Sequence, residues 1–268
     1  MPFTPSHAVV ALPFVRTPLI PAAIAIGAMT PDLPLFTRGF PLGYGRTHDP
    51  LWLPATMVLA FALLLVWRCL IRPAAADLTP TAIAARLPVE WERSAGASLR
   101  ETIAPRAGAV RGGLLLAASL AIGVLSHIVW DLFTHEDRWG TRAFPWLENA
   151  WGILPAYKWL QHGSTVIGLA IIGIWVVAWL ARRTPRAEVS RAVPAAVRWS
   201  WWMSLPVFLI GGWVIGLSVF GPLDDDFTVA HLAYRVLPPA CALWGLLSLA
   251  LCVVVQRRRV RRRVTTLR

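Results

Sequence analysis

GGLLLAASLAIGVLSHIVWDLFTHEDRWG, residues 112–140, begins as an apolar run and ends with ionisable side chains. A hydrocarbon core of about 30 Å takes about 20 helical residues to cross, and the stretch 112–134 supplies that length. Comparable runs lie at 51–72, 164–181, 201–221 and 236–256. The whole chain of 268 residues is 56% hydrophobic and only 15% charged, with a mean hydropathy of +0.57, which excludes an ordinary soluble domain. The fold expected is therefore all-α: a polytopic transmembrane helical bundle with about five full spans, forming a single integral-membrane domain over 1–268.

The segment 5–29 is also apolar, but Pro13, Arg16, Thr17, Pro18 and Pro21 interrupt it. Proline lacks an amide donor and restrains the residue before it, so the segment reads as a broken or re-entrant helix turning at RTP, 16–18. The opening MPFTPSH has no basic region of the kind that begins a cleavable signal peptide. Cys69, Cys241 and Cys252 fall within the apolar runs without metal or disulfide spacing and read as buried fillers.

Charge sets the expected orientation. Arg182, Arg183, Arg186, Arg191 and Arg198 follow one span, and Arg68 and Arg72 close another, whereas the connection 222–235 carries Asp224, Asp225 and Asp226. The positive-inside rule then makes 73–111 a cytoplasmic connection and 257–268 a basic cytoplasmic tail, with residue 50 outside. The net charge of +12 and the RRRVRRR of 257–263 do not indicate nucleic acid, because these arginines directly follow a span. Membrane lipids are the expected partner. Trp139, Trp146, Trp151 and Trp159 crowd the outer connection as an interfacial belt, with a cradle for a lipid substrate as the alternative.

His127, Asp131 and His135 stand at i, i+4 and i+8, so they share one stripe of their helix. An imidazole and a carboxylate one turn apart can ligate one cation, and nitrogen with oxygen donors suits zinc, manganese or iron better than calcium. The alternative is a His–Asp pair that only ties two helices together. Three short polar motifs fall at the same expected membrane edge: TPSH with His7, TPDLP with Asp32, and RTHDP with His48 and Asp49. Singly each reads as a terminus, a turn or a cap; jointly they favour a metal site, provided that 5–29 returns to the side it started from.

These motifs resemble a family. TPSH (4–7), GAMTPDLP (27–34), SHIVWDLFTH (126–135) and LQHGSTVIGL (160–169), in this order, are similar to the bacterial integral-membrane family known as domain of unknown function 4184, which has no established activity. More distantly the chain resembles the predicted membrane-bound metal-dependent hydrolases, whose TH, PDxD, His and HxxxDxxT pattern falls on His7, Asp32, His48, His127, Asp131 and Thr134. Pro34 replaces the second aspartate of PDxD and Ser6 the threonine before the first histidine.

That resemblance implies a membrane-embedded hydrolase. Its divalent metal, zinc among the candidates, would be held by His7, Asp32, His48, His127 and Asp131, with His135 or Glu136 as general base or orienter. The location implies a lipid or lipid-linked phosphoester as substrate. A non-enzymatic scaffold and a transporter using the His/Asp pair are the alternatives. In LQHGS, Ser164 reads as a helix cap and His162 as a possible neighbour of the cluster.

Overall fold

The computed structural model describes residues 3–37, 39, 41–103 and 108–266. Among the described residues the helices taken up below are α1 (Pro21–Met29), α2 (Leu53–Val66), α3 (Ala109–Thr134), α4 (Ala156–Ala181), α5 (Ala195–Phe220) and α6 (Val229–Thr266), joined by short helical turns. Strand structure among the described residues is confined to β1 (Ala150–Trp151) and β2 (Leu154–Pro155), an antiparallel pair with Ala150 opposite Pro155. Five helices among the described residues are long and apolar enough to cross a membrane, over Pro50–Leu78, Ala109–Thr134, Ala156–Ala181, Ala195–Phe220 and Val229–Arg261. The all-α transmembrane bundle read from the sequence is the observed class.

Each span begins earlier than its apolar run, or ends later. Hydropathy reports the part suited to hydrocarbon, whereas backbone hydrogen bonding carries a helix on into polar sequence. The largest difference at a start is in α4, which begins at Ala156 after Pro155, so that YKWLQHG is helical. Ser164 is consequently no cap. It lies inside the helix, its hydroxyl donating to the Gln161 carbonyl at 3.1 Å and accepting from Trp130 Nε1 at 3.2 Å.

The chain packs as two compact units: one of residues 1–34, 39–66 and 100–182, the other of 35–38, 67–99 and 183–268. In the first, the proline-broken N-terminal segment is a hairpin. A 3-10 helix over Thr4–Phe14, unusually long for a form with strained hydrogen bonds, leads through a turn into α1. The two ends of the hairpin meet, because Thr4 Oγ1 donates to Asp32 Oδ2 at 2.7 Å. The segment therefore does not run across as one helix.

Two glycines let α1 lie directly on α3. A Cβ on Gly27 would fall 2.7 Å from the Leu120 carbonyl oxygen, and one on Gly123 would fall 2.8 Å from the Ala28 amide nitrogen. Small residues allow this kind of backbone contact between helices in a membrane, where apolar burial gives little net drive. Ser119 adds a polar tie by accepting from the Ile20 amide at 2.9 Å. On the other side Gly168 of α4 admits Ser6, whose carbonyl oxygen would stand 3.1 Å from an added Cβ.

In the second unit α5 packs on α6, and Gly216 makes room for Leu232 and Val236 while Gly212 faces Ala240. The helix of Arg72–Leu78 carries Asp77, fully buried, which accepts from the Ala192 amide and pairs with Arg259 at 2.6 Å. Arg259 also stands 3.7 Å from Glu92, which binds Arg186 at 2.8 Å. The arginine run of 257–263 thus continues α6, and one of its members is tied into the fold instead of lying in a free arm.

Candidate metal centre

Three segments of the first unit bring four donors to a common point, α3 supplying two of them. Asp32 closes the turn Thr30–Asp32 at the end of α1. There Thr30 Oγ1 bonds back to the Ile26 carbonyl at 2.7 Å, so the helical course continues across Pro31. His48 follows the short helix Tyr44–Thr47, and Thr47 Oγ1 donates to the Pro31 carbonyl at 2.7 Å, fastening RTHDP onto TPDLP. His127 and Asp131 lie one turn apart on the inward face of α3. One ligand atom from each of Asp32, His48, His127 and Asp131 falls within 4.8 Å of all the others, and all four residues are buried.

The separations are those of a coordination sphere. His48 Nε2 is 3.1 Å from His127 Nε2, 3.8 Å from Asp32 Oδ1 and 3.5 Å from Asp131 Oδ2. His127 Nε2 is 3.6 Å from Asp32 Oδ1 and 3.5 Å from Asp131 Oδ2. Four donors at bond lengths of about 2.0–2.2 Å in a tetrahedron are about 3.3–3.6 Å apart, and the five separations, 3.1–3.8 Å, bracket that spacing.

The outer hydrogen bonds fix which atoms face inward. His127 Nδ1 lies 2.7 Å from the Ala28 carbonyl and His48 Nδ1 lies 2.9 Å from that of Tyr44. A carbonyl only accepts, so each Nδ1 carries its ring's proton and each neutral ring presents a lone pair at Nε2. Asp32 Oδ2 is held by Thr4, leaving Oδ1, which has no hydrogen-bond partner; neither oxygen of Asp131 has one. With both rings neutral, four acceptors converge, two of them the Nε2 atoms of His48 and His127, 3.1 Å apart. Buried polar atoms are normally satisfied, and a cation satisfies all four.

The remaining expected residues surround this point. His7, 8% exposed, stacks on His127 with ring centroids 4.0 Å apart, and its Nε2 lies 3.9 Å from Asp131 Oδ1 without a hydrogen bond. It stands beside the four-atom group. His135 follows the last residue of α3 on extended backbone, yet its Nδ1 is still 3.6 Å from Asp131 Oδ2 and 3.2 Å from the Asp131 carbonyl. Burial pushes the His135 imidazole down to about 4. Thr134 is buried and donates to the Trp130 carbonyl at 3.3 Å.

Glu136 is exposed and accepts from the Tyr157 hydroxyl at 3.2 Å. Asp49 caps the turn at Pro50, accepting from the Leu51 amide at 2.9 Å. His162 is exposed, and its neighbour Gln161, 1% exposed, reaches inward in its place. Gln161 Nε2 lies 3.4 Å from His135 Nε2, and Lys158 Nζ donates to Gln161 Oε1 at 3.4 Å. Thr4 and Gln161 are the polar residues that the motif reading did not single out for the site. Thr4 stands in TPSH and Gln161 in LQHGS, so the motifs contained them without indicating which atoms they would meet.

Thr4 gives a direct check on the arrangement. Thr4→Val removes the donor that orients Asp32 while keeping the side chain's shape. Partners of this kind are worth about 10–100-fold in metal affinity, and zinc titration of the variant should show a loss of that size with little change in helix content. An unchanged zinc affinity would detach Thr4 from the site.

Comparison with curated proteins and with solved structures gave no match. The family model described as Domain of unknown function (DUF4184) matches residues 1–254, which include every residue of the cluster, and the chain belongs to this family.

Proposed function

We propose that this protein is a membrane-embedded, metal-dependent hydrolase acting on a lipid or lipid-linked phosphoester. The observation that carries the reading is the meeting of Asp32, His48, His127 and Asp131, all buried, with Asp32 Oδ1 and both Asp131 oxygens lacking a hydrogen-bond partner. The distant resemblance of their motifs to the predicted membrane-bound metal-dependent hydrolases supports it. The site is placed at the outer face of a bacterial plasma membrane, with the C-terminus cytoplasmic, on the arginine distribution.

Asp32, His48, His127 and Asp131 would hold one divalent cation, zinc by donor type. Such an ion supplies a Lewis acid for a phosphoryl oxygen and brings the ionisation of water from 15.7 toward about 7. The protein's own groups do the rest. Ala28 and Tyr44 keep the two imidazoles in the tautomer with Nε2 free, and Thr4 keeps Asp32 Oδ1 turned inward.

In hydrolysis, the oxygen of water bonds to phosphorus, the bond from phosphorus to the leaving oxygen breaks, and water gives up a proton. We assign that proton to His135 Nε2, whose long contact with Gln161 is easily exchanged, and pass it on to the leaving oxygen. His7 Nε2, beside Asp131, is placed to meet a substrate oxygen. Glu136 stays at the rim with Tyr157.

The test is turnover by the full-length protein in vesicles containing phosphatidic acid, a lipid pyrophosphate and a phosphodiester lipid, read as released phosphate or headgroup. Turnover should disappear with a zinc chelator and return with zinc. His127→Ala should lower it by at least about a hundredfold. A zinc-loaded wild type that cleaves none of the three would contradict the hydrolase reading.

A further inference from the structure

A cavity of about 780 Å³ adjoins the cluster in the same unit. Its walls come from the 3-10 helix of the hairpin, from α3, from the strand connection and from α4, and they include His7, Val10, Trp130, Trp159, Gly163 and Ile167. The size is that of a small-molecule site, about 300–1,000 Å³. The lining is almost wholly apolar, and what polar groups it has are mostly engaged: Trp130 Nε1 bonds Ser164, and Trp159 Nε1 bonds the Trp151 carbonyl at 2.8 Å.

His7 is different. Its side chain is only 6% exposed, its Nε2 has no hydrogen-bond partner, and it belongs both to this wall and to the surroundings of Asp131. His7 is therefore the residue shared by the apolar cavity and the candidate metal centre, its buried Nε2 lying beside Asp131.

The walls also identify the occupant. Both long helices that bound the cavity, α3 and α4, are membrane spans, and lining residues on each remain accessible: Trp130 is 39% and Ile167 61% exposed. The medium against them is hydrocarbon. Water would find almost no partners on such walls, whereas an acyl chain fills them by dispersion contact and presents its ester end at His7.

We propose that the cavity holds one acyl chain of a membrane lipid, taken up sideways from the bilayer, and that this chain fixes the lipid's phosphoester beside His7. Occupancy by the chain stands on the cavity itself; its service as the substrate's site rests on the hydrolase reading above. The substrate class becomes a lipid cleaved close to its glycerol or alkyl end, with the headgroup directed away from the apolar walls.

Gly163 provides the test. A Cβ at Gly163 meets nothing within 4 Å, so a side chain added there enters open space in the cavity without striking the backbone. Full-length wild type and Gly163→Phe are reconstituted with phosphatidylglycerol that carries a photoactivatable diazirine midway along one acyl chain, and the labelled residues are mapped by peptide mass spectrometry. Wild type should be labelled at Val10 and His7, and Gly163→Phe should lose that label on the order of tenfold. Label at outward Ile174 and Val177 and the bound zinc content should stay as they were.

Equal labelling of Val10 in both proteins, no labelling of Val10 in wild type, or capture of a second copy of the chain at these residues would overturn the proposal. A metal-free wild type that still shows the Gly163-dependent label would sink the hydrolase reading and leave the lipid site standing.

Discussion

Asp131→Ala is expected to abolish stoichiometric metal binding, with zinc affinity falling by at least about a hundredfold. The size follows from position. Asp131 Oδ2 is 3.5 Å from each of the two facing Nε2 atoms, so its removal takes away one of four donor atoms and one of two negative charges. The stability effect has an informative sign. Without metal, Asp32 and Asp131 are two carboxylates brought together in a buried site, and burial with like charge both disfavour that state. The metal-free variant should therefore be as stable as the metal-free wild type or more so, whereas the rise in melting temperature that zinc gives the wild type should vanish. Thermal unfolding in detergent, with and without zinc, reads both. A His–Asp pair that only joined helices would give the opposite pattern: loss of stability in the variant with or without zinc.

The second large effect is expected from a residue that has no chemistry. Gly123→Val puts a branched side chain where a Cβ would already lie 2.8 Å from the Ala28 amide nitrogen and 2.9 Å from Gly27 Cα. Both are backbone atoms of α1, so the helices must part. Overpacking of this kind costs about 1–3 kcal/mol. The consequence for the site is larger than that for the fold, because His127 is oriented by the Ala28 carbonyl at 2.7 Å, from the very residue that Gly123 touches. Zinc affinity should fall on the order of a hundredfold or more, well beyond the effect of Thr4→Val. Gly113→Val is the control: nothing lies within 4 Å of a Cβ there, and zinc binding should be unchanged.

The spans were legible in the sequence because the bilayer imposes a length, and a stretch such as 201–221 satisfies it without help from tertiary contacts. Their ends were not, since YKWLQHG is polar enough to interrupt an apolar run yet forms the first turns of α4. The stripe of His127 and Asp131 was legible from helical period alone. That Asp32 and His48 join it depended on whether 5–29 turns back, and the prolines pointed to a turn at RTP, 16–18, without indicating that Thr4 and Asp32 would close the hairpin. Gly27 and Gly123 are unremarkable singly, and only their apposition shows why α1 can deliver both Ala28 and Asp32 to α3. His162 looked more like a site residue than Gln161 because of its type; the helical phase of α4 turned the amide inward and the imidazole out. The apolar cavity was legible only in the tryptophans Trp146, Trp151 and Trp159, for which a lipid cradle was the alternative to a belt, since its walls are drawn from four separate segments.

The central claim is that the converging imidazoles and carboxylates hold a cation. Elemental analysis of the full-length wild type, purified in detergent without chelator, tests it most directly, with re-addition of zinc and dialysis as the completing step. One divalent ion per folded chain is the predicted result; a folded chain that carries none, and takes up none from added zinc, would contradict it.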